Sequence, residues 1–103
     1  MLVELDIFSG RPNPRWRLGD AEAARVRELI DALAPAPAAA PPEPPGLGYR
    51  GFRIDDVATA YSGVVRMRGR VLADPQRRVE RFLLEHLPPE HEYIRSAIGS
   101  ELA

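Results

Sequence analysis

The first residues of the chain alternate between apolar and acidic side chains, which predicts a half-buried β-strand. Val3, Leu5 and Ile7 would face the core, while Glu4 and Asp6 would face the opposite side. This follows because successive side chains of a strand point to opposite faces of the sheet.

The same period of two recurs in two later stretches and predicts two further strands, which we expect to pair antiparallel. In GYRGFRI the two alternating sets are Tyr49, Gly51 and Arg53 on one side and Arg50, Phe52 and Ile54 on the other. In YSGVVRMRGRVL they are Arg66, Arg68 and Arg70 against Val65, Met67 and Val71. The link between them begins with a turn at Asp55 and Asp56, and it is long enough to hold part of another strand.

Helical spacing of apolar residues appears three times. The first set is Ala23, Val26, Leu29, Ile30 and Leu33, in a helix that begins near Gly19 or Asp20. The second is Val79, Phe82, Leu83 and Leu87, in a helix that Asp74 would cap, with Pro75 at the first helical position and Pro88 at its end. The third, in the last residues, is Ile94, Ala97, Ile98 and Leu102.

A spacer rich in proline and alanine, residues 34–48, separates the first helix from the later strands. Proline lacks a backbone donor and fixes φ, so we expect this segment to be extended, as a polyproline II spacer or strap. The predicted order is β-α-spacer-β-β-α-α. It describes an α+β fold with a small, mainly antiparallel sheet of about three strands, covered on one face by two to three helices.

Composition favours one globular domain over residues 1–103 and excludes several function classes. The chain has no cysteine, which excludes disulfide scaffolds and thiolate metal sites. Its net charge is -1 although all fourteen basic residues are arginine, so it lacks the basic excess typical of nucleic-acid-binding proteins. With no long apolar segment, we expect a cytoplasmic protein without membrane contact. We also predict that it holds no cofactor.

The stretch SGRPNPRW, residues 9–16, gives the best candidate site. If residues 11–18 are extended, Arg11, Asn13, Arg15 and Arg17 form a polar edge, and the residues between them, which include Trp16, form an apolar edge. In a structural interpretation the apolar edge closes the core, and the arginines are solvated or pair with acids such as Asp6, Asp20 or Glu22. In a functional interpretation the guanidinium groups bind an anion above an aromatic floor.

These observations favour a non-enzymatic binding or accessory module that holds an anionic small molecule or a peptide. A partner protein is the other class of ligand that we consider. The predicted ligand-binding residues are Arg11, Asn13, Arg15, Trp16, Arg17, Tyr49, Arg50 and Phe52. We predict no catalytic residue, because few groups of the chain titrate near neutral pH. The first alternative is a small enzyme or pathway subunit that completes its site with a partner chain.

The second alternative is the binding of single-stranded nucleic acid by Arg66, Arg68 and Arg70, if they share one face of a strand. Pairing of these arginines with Glu4 and Asp6 across the sheet is the structural explanation of the same pattern. The two histidines, His86 and His91, are five residues apart with two prolines between them, so we predict no metal site there.

The motif VELDIFSGRPNPRW, with the later GLGYRGF and YSGVV, resembles a family of small, uncharacterised bacterial proteins. The resemblance spans most of the chain. It implies no activity, cofactor or substrate, and it assigns no role to any residue.

Overall fold

The computed structural model describes residues 1–8, 10–36, 48–99 and 102. These residues form an α+β fold with one antiparallel sheet and three α-helices. The strands are β1 (Leu2–Leu5), β2 (Arg15–Arg17), β3 (Ala34–Pro35), β4 (Phe52–Ile54), β5 (Ala58–Tyr61), β6 (Val64–Met67) and β7 (Arg70–Ala73). The helices are α1 (Asp20–Asp31), α2 (Arg78–Glu85) and α3 (Arg95–Gly99), and a 3₁₀ segment, Pro89–Ile94, precedes α3.

The seven strands lie in the order β2-β1-β4-β5-β6-β7-β3, and every neighbouring pair is antiparallel. The prediction of about three strands was therefore too low. Two tight turns explain part of the difference, because both central residues of each have positive φ, the geometry that joins two strands directly. These turns are Ser62–Gly63, between β5 and β6, and Arg68–Gly69, between β6 and β7.

One face of the sheet carries the core. Val3 of β1 pairs with Trp16 of β2 and with Ile54 of β4, and all three side chains are buried. The buried residues of the helices, such as Val26 and Leu83, belong to the same cluster. The core therefore lies between the helices and this face of the sheet, and the opposite face is called the outer face below.

The predicted spacer is only partly within the described residues. Ala34 and Pro35 pair with β7 as an edge strand, so the first two residues of the predicted spacer belong to the sheet. An edge position suits Pro35, because proline has no backbone N–H and the hydrogen bond from Ala36 to Val71 places the Pro35 nitrogen on the side away from β7. Residues 37–47 lie outside the described part of the chain, so the prediction of a polyproline II spacer there stays a prediction.

Asp74 caps α2, but from a greater distance along the chain than predicted. Its carboxylate accepts hydrogen bonds from the backbone N–H groups of Arg78 at 3.0 Å and Val79 at 2.9 Å. The helix begins at Arg78, so Pro75 lies in the preceding turn and not at the first helical position. In the last segment the predicted apolar stripe is buried at Ile94 and Ile98.

Candidate functional site

The hairpin formed by β1 and β2 places acidic and basic side chains opposite each other on the outer face. Glu4 of β1 lies across from Arg15 of β2 on one side and from Arg53 of β4 on the other. The alternation predicted for residues 11–18 holds in β2, where Arg15 and Arg17 are exposed and Trp16 between them is buried. It does not hold in the loop, where Pro12 of the predicted apolar edge is exposed.

Asp6 is the centre of a cluster of charged groups that we call the acid–arginine cluster; its members are Glu4, Asp6, Asn13, Arg15, Arg50 and Arg53. The Oδ1 atom of Asp6 accepts hydrogen bonds from Nε of Arg50 at 3.1 Å and from Nη2 of Arg50 at 2.8 Å. Its Oδ2 atom accepts from Nη2 of Arg53 at 3.2 Å. Glu4 pairs through Oε1 with Nε of Arg15 at 3.0 Å.

Asn13 fixes the conformation of the hairpin loop. Its side-chain Oδ1 accepts hydrogen bonds from the backbone N–H groups of Ile7 at 3.1 Å and Phe8 at 2.8 Å. Its Nδ2 donates to Glu4 at 3.0 Å and to Asp6 at 3.3 Å. Both the oxygen and the nitrogen of the amide are thus hydrogen-bonded within the protein. Asn13, which was predicted to bind a ligand, therefore has a structural role here.

The cluster holds three guanidinium groups and two carboxylates, so its formal charge is positive. The side chains of Glu4 and Asp6 are only 11% and 12% exposed, whereas those of Arg15 and Arg53 are 66% and 48% exposed. Solvent screens the exposed arginines, so each pair contributes little to stability by itself. The arrangement therefore buries the acids and presents the cations to solvent.

Arg11 and Arg17 flank this cluster. The guanidinium carbon of Arg11 lies 3.7 Å from the centre of the Phe8 ring, which is a cation–π contact. Arg17 is exposed, and no carboxylate of the described residues forms an ion pair with it. We call Arg11, Arg15 and Arg17 the arginine rim, because all three are exposed on the hairpin at the edge of the sheet.

The aromatic members of the predicted site lie in the core. Trp16 is 8% exposed, contacts Phe52 edge to face with ring centres 6.5 Å apart, and lies 6.1 Å from the ring of His91. Its Nε1 atom is buried without a hydrogen-bond partner among the described residues. These aromatic side chains therefore lie in the core, on the face of the sheet opposite to Arg15 and Arg17.

A β-bulge explains why Arg50 and Tyr49 exchange the faces that simple alternation predicts. The backbone carbonyl of Asp6 accepts a hydrogen bond from the backbone N–H of Arg50 at 2.8 Å, and the backbone N–H of Asp6 donates to the carbonyl of Gly51 at 2.9 Å, so two residues oppose one. As a result the guanidinium of Arg50 reaches Asp6, while Tyr49 is buried against Phe52. The alternation predicted for residues 49–51 was wrong for this reason.

Tyr49 leads to a second polar cluster, which the sequence analysis missed. The carboxylate of Glu80 in α2 is 1% exposed and accepts a hydrogen bond from the Tyr49 hydroxyl at 2.6 Å. It also accepts from the backbone N–H groups of Ser62 and Gly63 and from the guanidinium of Arg77. An acid next to Val79 in the apolar stripe of a helix was the available signal, because a charge buried there needs partners.

The protonation of this pair is set by burial and hydrogen bonding. Burial raises the pKa of Glu80, but hydrogen bonds from Arg77, Tyr49 and Gly63 outweigh it, so the pKa is lower than that of an ordinary glutamic acid. Burial, the negative charge of Glu80 and the hydrogen bond to it all raise the pKa of Tyr49 above the ordinary tyrosine value. The carboxylate is therefore ionised and the phenol is neutral at pH 7.

We predict that the free energy of unfolding falls at both ends of the pH scale. The stability from Glu80 is present above the ordinary glutamate pKa of about 4.3 and is lost as pH falls through its lower folded-state pKa. Above the ordinary tyrosine pKa of about 10 the unfolded chain ionises while Tyr49 stays protonated, so stability decreases there as well. Urea unfolding across pH measures both losses.

Tyr49→Phe and Tyr93→Phe form a matched pair for this prediction. Tyr49→Phe should reduce the alkaline loss, because it removes the buried phenol, and keep most of the acid loss. Tyr93 is 63% exposed, so Tyr93→Phe should leave the alkaline loss unchanged. An alkaline profile that is identical in the wild type and in Tyr49→Phe would contradict the assignment.

The three arginines proposed for nucleic acid do not share a face. Arg66 in β6 lies opposite Val71 on the outer face. Arg70 in β7 lies opposite Met67, which is on the same face of β6 as the core residue Val65, so Arg70 is on the core face. Arg68 is a turn residue with φ of 43°. The predicted single strand was wrong, since the chain reverses at Arg68–Gly69, and the geometric basis of the nucleic-acid alternative is lost with it.

The two histidines each contact an aromatic ring. His86 stacks on Phe82 with ring centres 4.1 Å apart, and His91 lies beside Trp16. Within the described ranges, no group of three or more His, Asp or Glu side chains is arranged to hold a metal ion. The same ranges contain no helix of the length and apolar character that crossing a membrane requires.

A cavity of about 350 Å³ lies between α1, β3 and the turn before α2, away from the hairpin. Leu29, Leu33, Ala34 and Pro75 are among its lining residues. Asp74 also lines it, but both oxygens of that carboxylate accept the hydrogen bonds that cap α2. The charged groups predicted to bind a ligand lie outside this cavity.

Comparisons of the sequence and structure with protein-family models, curated proteins and solved structures find no match. The resemblance based on the GRPNPRW motif therefore stays a prediction.

Proposed function

We propose that this protein is a non-enzymatic binding module that recognises an acidic partner through the arginine rim. The observation that carries the proposal is the exposure of Arg15 and Arg17 at alternate positions of β2, on the same side of the strand. Arg15 uses Nε to contact Glu4 and remains 66% exposed. Arg17 has no ion pair within the described residues, so it is available to an external carboxylate or phosphate.

The acid–arginine cluster supports this role by fixing the rim in place. Asn13 holds the loop through hydrogen bonds to Ile7 and Phe8, and Arg50 ties the loop to β4 through Asp6 and the carbonyl of Phe8. Groups that are ordered before binding lose less conformational entropy when a ligand arrives. Of the residues predicted to touch a ligand, Asn13 and Arg50 are thus assigned to positioning, and the three rim arginines to contact.

Guanidinium groups suit an acidic partner for a chemical reason. The planar group presents paired N–H donors that match the two oxygens of a carboxylate or phosphate. The small overall charge of the protein means that attraction depends on this local patch and not on a general basic surface. An ionic-strength dependence of moderate size is therefore expected.

Fluorescence anisotropy with fluorescein-labelled polyglutamate tests the proposal. We expect binding that weakens as salt is added, and a loss of about twofold to thirtyfold in the Arg15→Gln/Arg17→Gln variant, since exposed ion pairs contribute about 0.2–1 kcal/mol each. Arg81→Gln, an exposed arginine on α2, is the matched control and should bind like the wild type. Equal affinity in all three proteins would contradict the proposal.

A further inference from the structure

β2 lies at the end of the sheet, and in the described part of the chain it pairs only with β1. The backbone N–H of Leu5 donates to the carbonyl of Pro14, and the N–H of Leu18 donates to the carbonyl of Met1. In an antiparallel ladder hydrogen-bonded pairs recur at every second residue, so the backbone groups of Trp16 face β1. Those of Arg15 and Arg17 face away from the sheet.

Pro14 does not protect this edge. Proteins often place proline on an edge strand so that the missing N–H lies on the solvent side. Here Pro14 directs its carbonyl towards Leu5, so its missing donor is on the side of β1. The outward N–H groups of Arg15 and Arg17 are therefore retained, and an extended chain could form a regular ladder with them.

The side chains of Arg15 and Arg17 define the chemistry of the strand that would fit. A residue placed directly opposite each arginine has its own side chain on the outer face, within reach of the guanidinium. A second copy of this chain pairing antiparallel through β2 would set arginine against arginine, which is unfavourable. Charge complementarity instead favours a segment with acidic residues at alternate positions.

We propose that an acidic peptide adds to the outer edge of β2 as an antiparallel strand. Two acidic residues of the peptide, separated by a single residue, would lie opposite Arg17 and Arg15. This inference rests on the proposed function and names its partner and its mode of binding. Main-chain hydrogen bonds would supply affinity, and the alternate acidic side chains would supply selectivity.

Labelled peptides with the sequence Thr-Glu-Val-Glu-Thr test the mode of binding. In the proposed register the N–H groups of both glutamates donate to β2, and that of the valine points away. N-methylation of both glutamates should therefore weaken binding about tenfold, because it removes two hydrogen bonds, whereas N-methylation of the valine should have little effect. A loss caused by the valine modification instead would overturn the register.

Amide hydrogen exchange gives a second readout on the protein itself. The unmodified peptide should slow exchange at the N–H groups of Arg15 and Arg17 and leave Trp16 unchanged, because its N–H already faces β1. Binding that is unaffected by N-methylation, without slower exchange, would overturn strand addition and leave the proposed function in place. If no acidic peptide binds and polyglutamate does not bind either, both proposals fail.

Discussion

Replacing Glu80 with glutamine is expected to destabilise the protein by about 3–5 kcal/mol, the usual cost of breaking a buried ion pair. The side chain is 1% exposed, and each of its oxygens accepts hydrogen bonds. Glutamine has one oxygen and one NH₂ group, so its donor would face the N–H groups of Ser62, Gly63 or Arg77. The guanidinium of Arg77 would also lose the charge that it pairs with.

A loss of this size is a large part of the stability of a small domain, which is typically about 5–15 kcal/mol. Thermal unfolding should show it as a decrease in Tm of roughly 12 °C or more, at about 4–8 °C per kcal/mol for a domain near this size. Glu85→Gln is the matched control, because Glu85 lies on the same helix and is exposed. Its Tm should stay close to that of the wild type. A Glu80→Gln variant that unfolds at the same temperature as Glu85→Gln would refute the structural role of this carboxylate.

The sequence predicted the elements whose periodicity is unbroken. The alternation of Val3 and Leu5 with Glu4 gave the orientation of β1 correctly, since strand side chains alternate wherever the ladder is regular. The same rule failed beyond Met67, because a two-residue turn reverses the chain there. Odd-numbered residues face the core in β6, whereas even-numbered residues face it in β7. Pattern alone does not reveal such a turn when arginine occupies both flanks of Gly69.

The sequence predicted which arginines of the candidate site are exposed, but it did not predict which residues they and their neighbours contact. The exposed edge of Arg15 and Arg17 follows from local alternation, so the sequence contained it. The partners of those residues are far away in sequence: Arg50 reaches Asp6, and Tyr49 reaches Glu80. Such contacts depend on how the strands are ordered in the sheet, which the local pattern does not determine.

The bulge at Gly51 joins the architecture of the sheet to the acid–arginine cluster. Gly51 has φ of +104°, and a Cβ atom there would lie 2.5 Å from the carbonyl oxygen of Ala60 and 2.8 Å from Cβ of Tyr61. The first of these contacts is with backbone, which cannot move aside as a flexible side chain can. Gly51→Ala should therefore separate β4 from β5 locally and draw Arg50 away from Asp6.

We expect Gly51→Ala to cost about 2–5 kcal/mol, from positive φ together with steric overlap. Gly69→Ala separates these two causes: Gly69 has φ of +76°, but nothing lies within 4 Å of a Cβ atom there. Its substitution should cost only the conformational part, about 1–2 kcal/mol. Urea denaturation of both variants measures the difference. Equal free energies of unfolding for the two variants would contradict the prediction, because they would mean that β5 does not exclude a Cβ atom at Gly51.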